Sequence, residues 1–342
     1  MKWPWIARIT LLVVLLVVGP ATPAFADGGI DTNYSSRVTE ITPATNALHA
    51  KVSGGDSFLE IRVAIGHTVV VQGYEHEPYL QVLADGTVQV NENSPATYLN
   101  NDRYATTVPP PSADAKAPPS WKTVGANGHY AWHSHLIHFM SPGLPEVLKQ
   151  QNVDHGLVQN WTVAITLDGA PAQIRGTLNL LTAPSPFLPI AVALGTFLIG
   201  WLMLRRWPNT PVGIATGALA LGLAVVENRS APIGSPGVRW PMYVAGASVL
   251  LAVGAVLKKR NRAFATVVQI AASALLFGWS VGHRSEVTNA VLTTSTSPTI
   301  TRVAVATIFG FACATLATFA PNLVPVIDDE SLDDDTSTHI NG

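Results

Sequence analysis

Residues 184–206 read PSPFLPIAVALGTFLIGWLMLRR, and this stretch divides the chain into two parts of opposite character. Two prolines close a polar segment, and the residues 187–204 that follow carry no charge until Arg205 and Arg206. A helix needs about 20 apolar residues to cross the hydrocarbon core of a bilayer. The stretch therefore predicts a first transmembrane helix directly after a water-soluble domain.

Four more apolar stretches follow the first, at residues 211–227, 241–257, 263–282 and 303–321. Their lengths predict a five-helix transmembrane bundle. The whole chain has 12% charged residues and a mean hydropathy of +0.28, whereas soluble domains carry about 25% charge. This composition argues against a single soluble enzyme core and makes the lipid bilayer the first expected partner.

Positive charge at the helix ends predicts the orientation of the chain. Arg205 and Arg206 follow the first stretch, and residues 258–262 add four more Lys or Arg after the third. Because such residues mark the cytoplasmic side, the segment 27–183 is predicted to lie outside and the C-terminus inside the cell membrane. The last segment, 322–342, carries six acids and no Lys or Arg, which predicts a disordered cytoplasmic tail. The net charge of −2 gives no support for nucleic acid as a partner.

Residues 1–26 have the pattern of a secretory signal peptide. Lys2 and Arg8 supply positive charge, Ile9–Val18 is almost wholly apolar, and 24–26 reads AFA before Asp27. An uncleaved first anchor is the alternative, although the apolar run is short for a span. A signal peptide independently requires the segment 27–183 to be outside.

The segment 27–183 has the pattern of an antiparallel β domain. Asp85-Gly86 and Asp168-Gly169 each separate two strand-like runs, which is typical of hairpins. Short runs at this spacing predict seven to nine strands in a cupredoxin-like or immunoglobulin-like β-sandwich.

Residues 132–140, WHSHLIHFM, hold the densest group of metal-ligand side chains in the outer domain. On a strand, His133 and His135 would face the same side. His138 can join them only if the chain turns after Leu136, and Met140 would add a thioether. His129 lies just before this run.

Imidazole ligands suit copper or zinc, and a thioether favours copper. Cys313 is the single cysteine and lies in the fifth apolar stretch, so a thiolate-ligated blue-copper site is excluded from the outer domain. We therefore expect a copper site, with zinc as the alternative, formed by the residues His133, His135, His138, Met140 and His129. A buried hydrogen-bonded cluster and a pH-sensing cluster are alternative interpretations.

Two further polar runs flank this candidate site in the sequence. Residues 74–79, YEHEPY, are interpreted as an acidic loop facing water, although the run could add a ligand. Residues 100–104, NNDRY, are interpreted as a turn with a local ion pair.

The motifs at 73–79, 98–103 and 132–140 together resemble exported multi-span membrane proteins of high-GC Gram-positive bacteria. That resemblance implies a topology and an exported context, and no activity. The hairpin 161–180 is similar to the last strands of cupredoxin-like copper-resistance β-sandwiches. The mature chain would begin at Asp27 rather than at a histidine, and Ala170 stands where a histidine often follows Asp-Gly. The copper ligands of that family are therefore not carried over.

The sequence has no Gly-x-Ser-x-Gly, phosphate loop, HExxH or dinucleotide fingerprint, so an enzyme is not the expected class. We expect metal capture, buffering or sensing, with an extracytoplasmic metal donor or a protein as partner. A structural or protein-interaction role at the cell surface, without metal, is the alternative. A metal-dependent ectoenzyme ranks third, because it needs an open coordination position and a base, for which only Glu75 and Glu77 are candidates.

Overall fold

The computed structural model describes residues 31–101, 103–141, 143–231, 239–258 and 261–323. The predicted signal peptide lies outside the described residues, as does the predicted acidic tail apart from its first two residues.

The described residues before 184 form two antiparallel sheets. The seven-stranded sheet has the order β1-β10-β9-β4-β5-β6-β7, and the three-stranded sheet has the order β2-β3-β8. Within the described residues the strands are β1 (Tyr34–Thr42), β2 (Leu48–Ser53), β3 (Phe58–Val63), β4 (Val69–Gln72), β5 (Pro78–Val82), β6 (Val88–Asn91), β7 (Trp121–Gly125), β8 (His129–His133), β9 (Gly156–Leu167) and β10 (Ala170–Leu180). Two short helices, α1 (Pro95–Leu99) and α2 (Glu146–Gln150), lie in the connections.

Both predicted hairpins are present. Strands β5 and β6 pair around Asp85-Gly86, and β9 pairs with β10 around Asp168-Gly169. Asp168 and Gly169 have φ of 50° and 81°, a conformation that Asp and Gly tolerate better than other residues. The turn residues therefore set the register of the two strand pairs, as expected for short hairpins.

The two sheets share one hydrophobic core. Leu59 and Ile61 of β3 are fully buried, and so are Val69 of β4 and Ile174 of β10. Alternation along β3 and β8 decides which side chains enter this core. Leu59 lies opposite Trp132 on the core face, so the neighbouring cross-strand pairs face away from the core.

The described residues after 184 include five helices that are long and apolar enough to cross a membrane. They are α3 (Phe187–Arg206), α4 (Val212–Ser230), α5 (Trp240–Leu257), α6 (Arg262–Gly282) and α8 (Pro298–Phe319). The short helix α7 (Arg284–Thr288) lies between α6 and α8, and a 3₁₀ turn, Ala320–Leu323, ends the described chain. The prediction of five apolar helices is confirmed; the fifth begins five residues earlier than expected, at Pro298.

The helices pack closely where small residues meet. A Cβ on Gly310 of α8 would collide with Thr196 Oγ1 and with the Ala193 carbonyl of α3, so only glycine allows this approach. Leu194 and Leu198 of α3 are exposed, as expected for side chains that face lipid. The β domain contacts the end of the bundle at which α3 and α8 begin, because Thr32 pairs with Val291 through two backbone hydrogen bonds.

Candidate functional site

The histidine run is the end of a strand followed by a turn. Strand β8 ends at His133, and the Ile137 N–H donates to the Ser134 carbonyl at 3.1 Å. The chain thus turns at Ser134 rather than after Leu136. The prediction that His133 and His135 share one face of a strand is therefore wrong, since His135 lies in the turn.

His133 lies on the face of the three-stranded sheet that points away from the core. It is the cross-strand partner of Phe58, and the two ring centroids are 4.0 Å apart. Nδ1 of His133 is 2.8 Å from the Ser57 carbonyl oxygen, and the side chain is buried. The strand therefore holds this imidazole against β3.

His129 lies on the same face, four residues earlier in β8, which is about 13 Å along a strand. Its Nε2 is 2.6 Å from Glu60 Oε1, and its Nδ1 is 3.2 Å from Arg62 Nη2. Burial acts to raise the pKa of Glu60, but hydrogen bonds from His129, Ser53 and Lys51 outweigh it and hold that pKa below its usual value. The structure thus places His129 in a hydrogen bond with Glu60, apart from the turn.

The turn brings His135 and His138 together. Their ring centroids are 5.3 Å apart and the rings are nearly perpendicular. The His135 ring stacks on Tyr74 with a centroid distance of 5.5 Å, and its backbone N–H donates to the Tyr74 hydroxyl at 3.0 Å. Tyr74, in the segment 74–79, therefore stabilises the conformation of the turn.

His138 is buried against two backbone carbonyls and a thioether. Nδ1 is 3.2 Å from the Ser134 oxygen, and Nε2 is 2.8 Å from both the Arg103 oxygen and Met140 Sδ. Burial lowers the pKa of His138 to about 4, helped by the charges of Arg103 and His135. The imidazole is therefore neutral near pH 7, which is the state that can ligate a metal.

A neutral imidazole has one N–H, so only one of the two ring nitrogens of His138 can donate to a carbonyl. When Nδ1 donates to Ser134, the Nε2 lone pair faces the Arg103 oxygen and Met140 Sδ. The lone pairs of this nitrogen, oxygen and sulfur lie close together and could bind a soft cation. Metal bonds of about 2.0 Å to nitrogen and 2.3 Å to sulfur need the two ligand atoms roughly 3.5 Å apart, so Sδ must move outward. Met140 is 36% exposed and has room to do so.

The interpretation of residues 74–79 as a water-facing acidic loop is correct for Glu75 and wrong for Glu77. Glu75 is exposed, whereas Glu77 is 4% exposed. The Glu77 carboxylate accepts hydrogen bonds from Ser94 Oγ at 2.5 Å and from the Glu75 N–H at 2.9 Å. Glu77 therefore fixes this segment from within rather than offering a ligand at the surface.

The ion pair predicted near residues 100–104 is not local. Arg103 is buried and pairs with Asp56, 47 positions earlier, at 2.6 Å. Burial raises the pKa of Asp56 and outweighs the opposing effect of Arg103. Asp56 follows two glycines and lies far from residues 100–104 in the chain. The three motifs at 73–79, 98–103 and 132–140 thus meet around His138, which their spacing along the chain does not reveal.

An open groove of about 600 Å³ lies beside His133. Tyr79, Tyr98, Tyr130 and Trp132 contribute to its lining. An ion pair joins its lining residues Lys122 and Glu92 at 3.1 Å. Sequence reasoning missed this groove because its aromatic residues come from separate strands and from α1.

A second cluster lies where the helices meet the β domain. Among the described residues it is the single group of three His, Cys, Asp or Glu whose ligand atoms lie within 4.8 Å of one another, and it consists of Glu227, His283 and Glu286. Glu227 ends the apolar stretch 211–227 and His283 directly follows the stretch 263–282, and nothing in these positions indicates that the two side chains meet.

Comparisons with known protein families, with curated proteins and with solved structures find no match for this chain. The resemblances drawn from its motifs therefore stay predictions, and the function has to be argued from the geometry.

Proposed function

We propose that this chain is a multi-span protein of the cell membrane whose β domain faces outside and binds copper at the turn 134–140. The ligands are His138, Met140 and His135. The observation that carries the proposal is the 2.8 Å approach of His138 Nε2 to Met140 Sδ beside the His135 ring. An imidazole and a thioether together favour copper, particularly Cu(I), over zinc.

The orientation rests on where positive charge lies relative to the β domain. Strand β10 leads into α3, and Arg205 and Arg206 lie at the far end of that helix. Lys258 follows α5 at the same far end, since the helices alternate in direction. Positive charge marks the cytoplasmic side, so this arrangement supports an outward β domain. Two sheets around one core agree with a cupredoxin-like sandwich.

This site is better suited to capturing, buffering or sensing the ion than to catalysing a reaction. His138 is 2% exposed and Met140 is 36% exposed, so an ion reaches the imidazole past the thioether. His133 lies two residues before His135 and is held against Phe58, while His129 is paired with Glu60. We therefore assign neither His129 nor His133 to the ion, in contrast to the expectation from sequence.

Cu(I) titration of the purified full chain in detergent, against a competing chelator, tests the proposal. We expect one Cu(I) per chain at the turn. Met140→Leu keeps the size and apolar character of the side chain but removes the sulfur, so affinity should fall at least about tenfold. Met203→Leu, in α3, is the matched control and should leave the affinity unchanged.

His135→Gln provides a second variant at the site and should also weaken Cu(I) binding. Affinity no tighter than micromolar in the natural chain would contradict the proposal. So would Cu(I) binding that is equal in the natural chain, Met140→Leu and His135→Gln. The cell-surface interaction protein would then be the better account, with the aromatic groove beside His133 as its notable surface.

A further inference from the structure

The cluster of Glu227, His283 and Glu286 belongs to three different elements. Glu227 lies in the last turn of α4, His283 follows α6, and Glu286 lies in α7. These elements meet at the end of the bundle that contacts the β domain. The chain therefore brings together three ligand-type side chains at the junction of its two parts.

The ring of His283 has a fixed orientation. It stacks on Trp279 with a centroid distance of 3.6 Å, and Nδ1 is 2.7 Å from the Trp279 carbonyl oxygen. An Nδ1–H donated to that carbonyl leaves the Nε2 lone pair directed at Glu227 Oε2, 3.3 Å away. A carbonyl that fixes the tautomer in this way is the usual second partner of a metal-bound histidine.

Two carboxylate oxygens in the cluster are buried with no N–H or O–H donor beside them among the described residues, and the carboxyl groups of Glu227 and Glu286 lie against each other. Glu286 is 5% exposed, and its Oε2 has no partner among the described residues; the same holds for Glu227 Oε1. An unpartnered buried carboxylate oxygen is costly, because a charged group loses its hydration on burial. The arrangement is therefore incomplete unless a cation or a proton joins it.

Among the described residues, the neighbouring charged groups do not supply that cation. Asp31 adds a third carboxylate nearby, which accepts hydrogen bonds from Ser285 Oγ and the Thr293 N–H, both at 2.9 Å. Arg302 donates to the backbone carbonyls of Glu286 and Asn289 rather than to a carboxylate.

We propose that Glu227, His283 and Glu286 bind a divalent zinc-class metal ion that fastens α4, α6 and α7 together beneath the β domain. One imidazole nitrogen and two carboxylate oxygens are ordinary zinc ligands, with bonds of about 2.0–2.2 Å. Ligand atoms within 4.8 Å of one another need only a small contraction to reach them. This donor set holds no sulfur and shares no residue with the copper site, so the inference does not depend on that proposal.

The ion would also brace the attachment of the β domain. Ser285, which donates to Asp31, lies between His283 and Glu286 in the chain. An ion that fixes His283 and Glu286 therefore also fixes Ser285, which contacts Asp31 at the start of the described β domain. Metal binding at this junction should stabilise the contact between the two parts of the protein.

The test is a Zn²⁺ titration of the full chain in detergent after its metals have been removed with EDTA. We expect one Zn²⁺ to bind at the junction and to raise Tm, with Mg²⁺ much less effective. Glu227→Gln and Glu286→Gln are nearly isosteric, and each should lower Zn²⁺ affinity at least about tenfold. Glu92→Gln, at the exposed Lys122 pair, should leave it unchanged.

The combined variant Met140→Leu/His135→Gln separates this site from the copper site. It should keep Zn²⁺ binding at the junction while Cu(I) binding falls. The Tm of each metal-free variant shows whether it still folds. Absence of Zn²⁺ binding, or equal affinity in the natural chain and both glutamine variants, would overturn the proposal. No Zn²⁺ binding together with an unchanged or higher Tm in the variants would instead indicate a proton shared by the two carboxyl groups.

Discussion

The guanidinium of Arg103 lies 2.6 Å from the carboxylate of Asp56, and both side chains are buried. The carbonyl oxygen of the same arginine is 2.8 Å from Nε2 of His138. Arg103 therefore contacts both the turn before β3 and the turn that holds the candidate copper ligands. We expect the position of the candidate copper ligands to depend on this long-range pair.

Replacing Arg103 by leucine should destabilise the β domain by about 3–5 kcal/mol, since it leaves Asp56 buried without its counter-ion. The urea midpoint of the full chain, followed by tryptophan fluorescence, measures the change. Arg175→Leu breaks the exposed pair with Glu40 and should cost at most about 1 kcal/mol. Similar urea midpoints for the two variants would show that the buried pair stabilises the fold no more than the exposed pair does.

His129 should prove to be a structural residue. His129→Gln removes the 2.6 Å hydrogen bond to Glu60, and hydrogen bonds to charged groups contribute about 1.5–3 kcal/mol. We expect a lower urea midpoint and an unchanged Cu(I) affinity. If His129→Gln is as stable as the natural chain but no longer binds Cu(I), His129 is a copper ligand after all.

The contact between α3 and α8 should tolerate no side chain at position 310. Gly310→Ala places a methyl group against Thr196 and the Ala193 carbonyl, which should force the helices apart at a cost of about 1–3 kcal/mol. Gly195→Ala is the matched control on the facing helix, because its Cβ would meet nothing within 4 Å. Thermal unfolding in detergent should show a lower Tm for the first and an equal or higher Tm for the second. Equal Tm values for both variants would contradict the close packing at Gly310.

The stability of the β9–β10 hairpin should decrease in acid. Two hydrogen bonds hold the pKa of Asp168 below its usual value. The larger effect comes from the Thr68 N–H at 2.8 Å and the smaller from the His67 ring at 2.7 Å. A group with a lowered folded-state pKa stabilises the fold above its unfolded pKa, and this contribution is lost as the pH falls through the folded one. The contribution of Asp168 should therefore be present near neutral pH, begin to fall as the pH approaches the unfolded-state pKa of about 3.9, and be lost in stronger acid.

Comparison with Asp168→Asn isolates this effect. Asparagine tolerates the positive φ of this turn, so the variant removes the charge without straining the backbone. The natural chain should unfold at a higher urea concentration than the variant near pH 7 and at the same concentration in strong acid. A difference that stays constant over the whole range would show that the carboxylate charge plays no part.

Local patterns predicted the elements of this protein well. The uncharged run 187–204 corresponds to α3, and the Asp-Gly pairs at 85–86 and 168–169 lie in the turns of two hairpins. Hydrophobic length and turn chemistry act over a few residues, so a single stretch contains the whole signal.

The site could be predicted only in part. The run 132–140 drew attention to His138 and Met140, and the structure places His138 Nε2 2.8 Å from Met140 Sδ. The strand alternation assigned to His133 and His135 was wrong, because β8 ends at His133. Nothing in the order of residues indicated that Glu77 would be buried.

The sequence by itself determined that a polar, β-rich part precedes five apolar helices, since burial in lipid demands long uncharged segments. Only the tertiary structure decided which polar groups meet. Arg103 reaches Asp56 across 47 positions, and Glu286 reaches Glu227 between α7 and α4. Such contacts depend on how whole sheets and helices pack together. The periodicity of one segment shows which of its side chains are buried, but not which residues of other segments they contact.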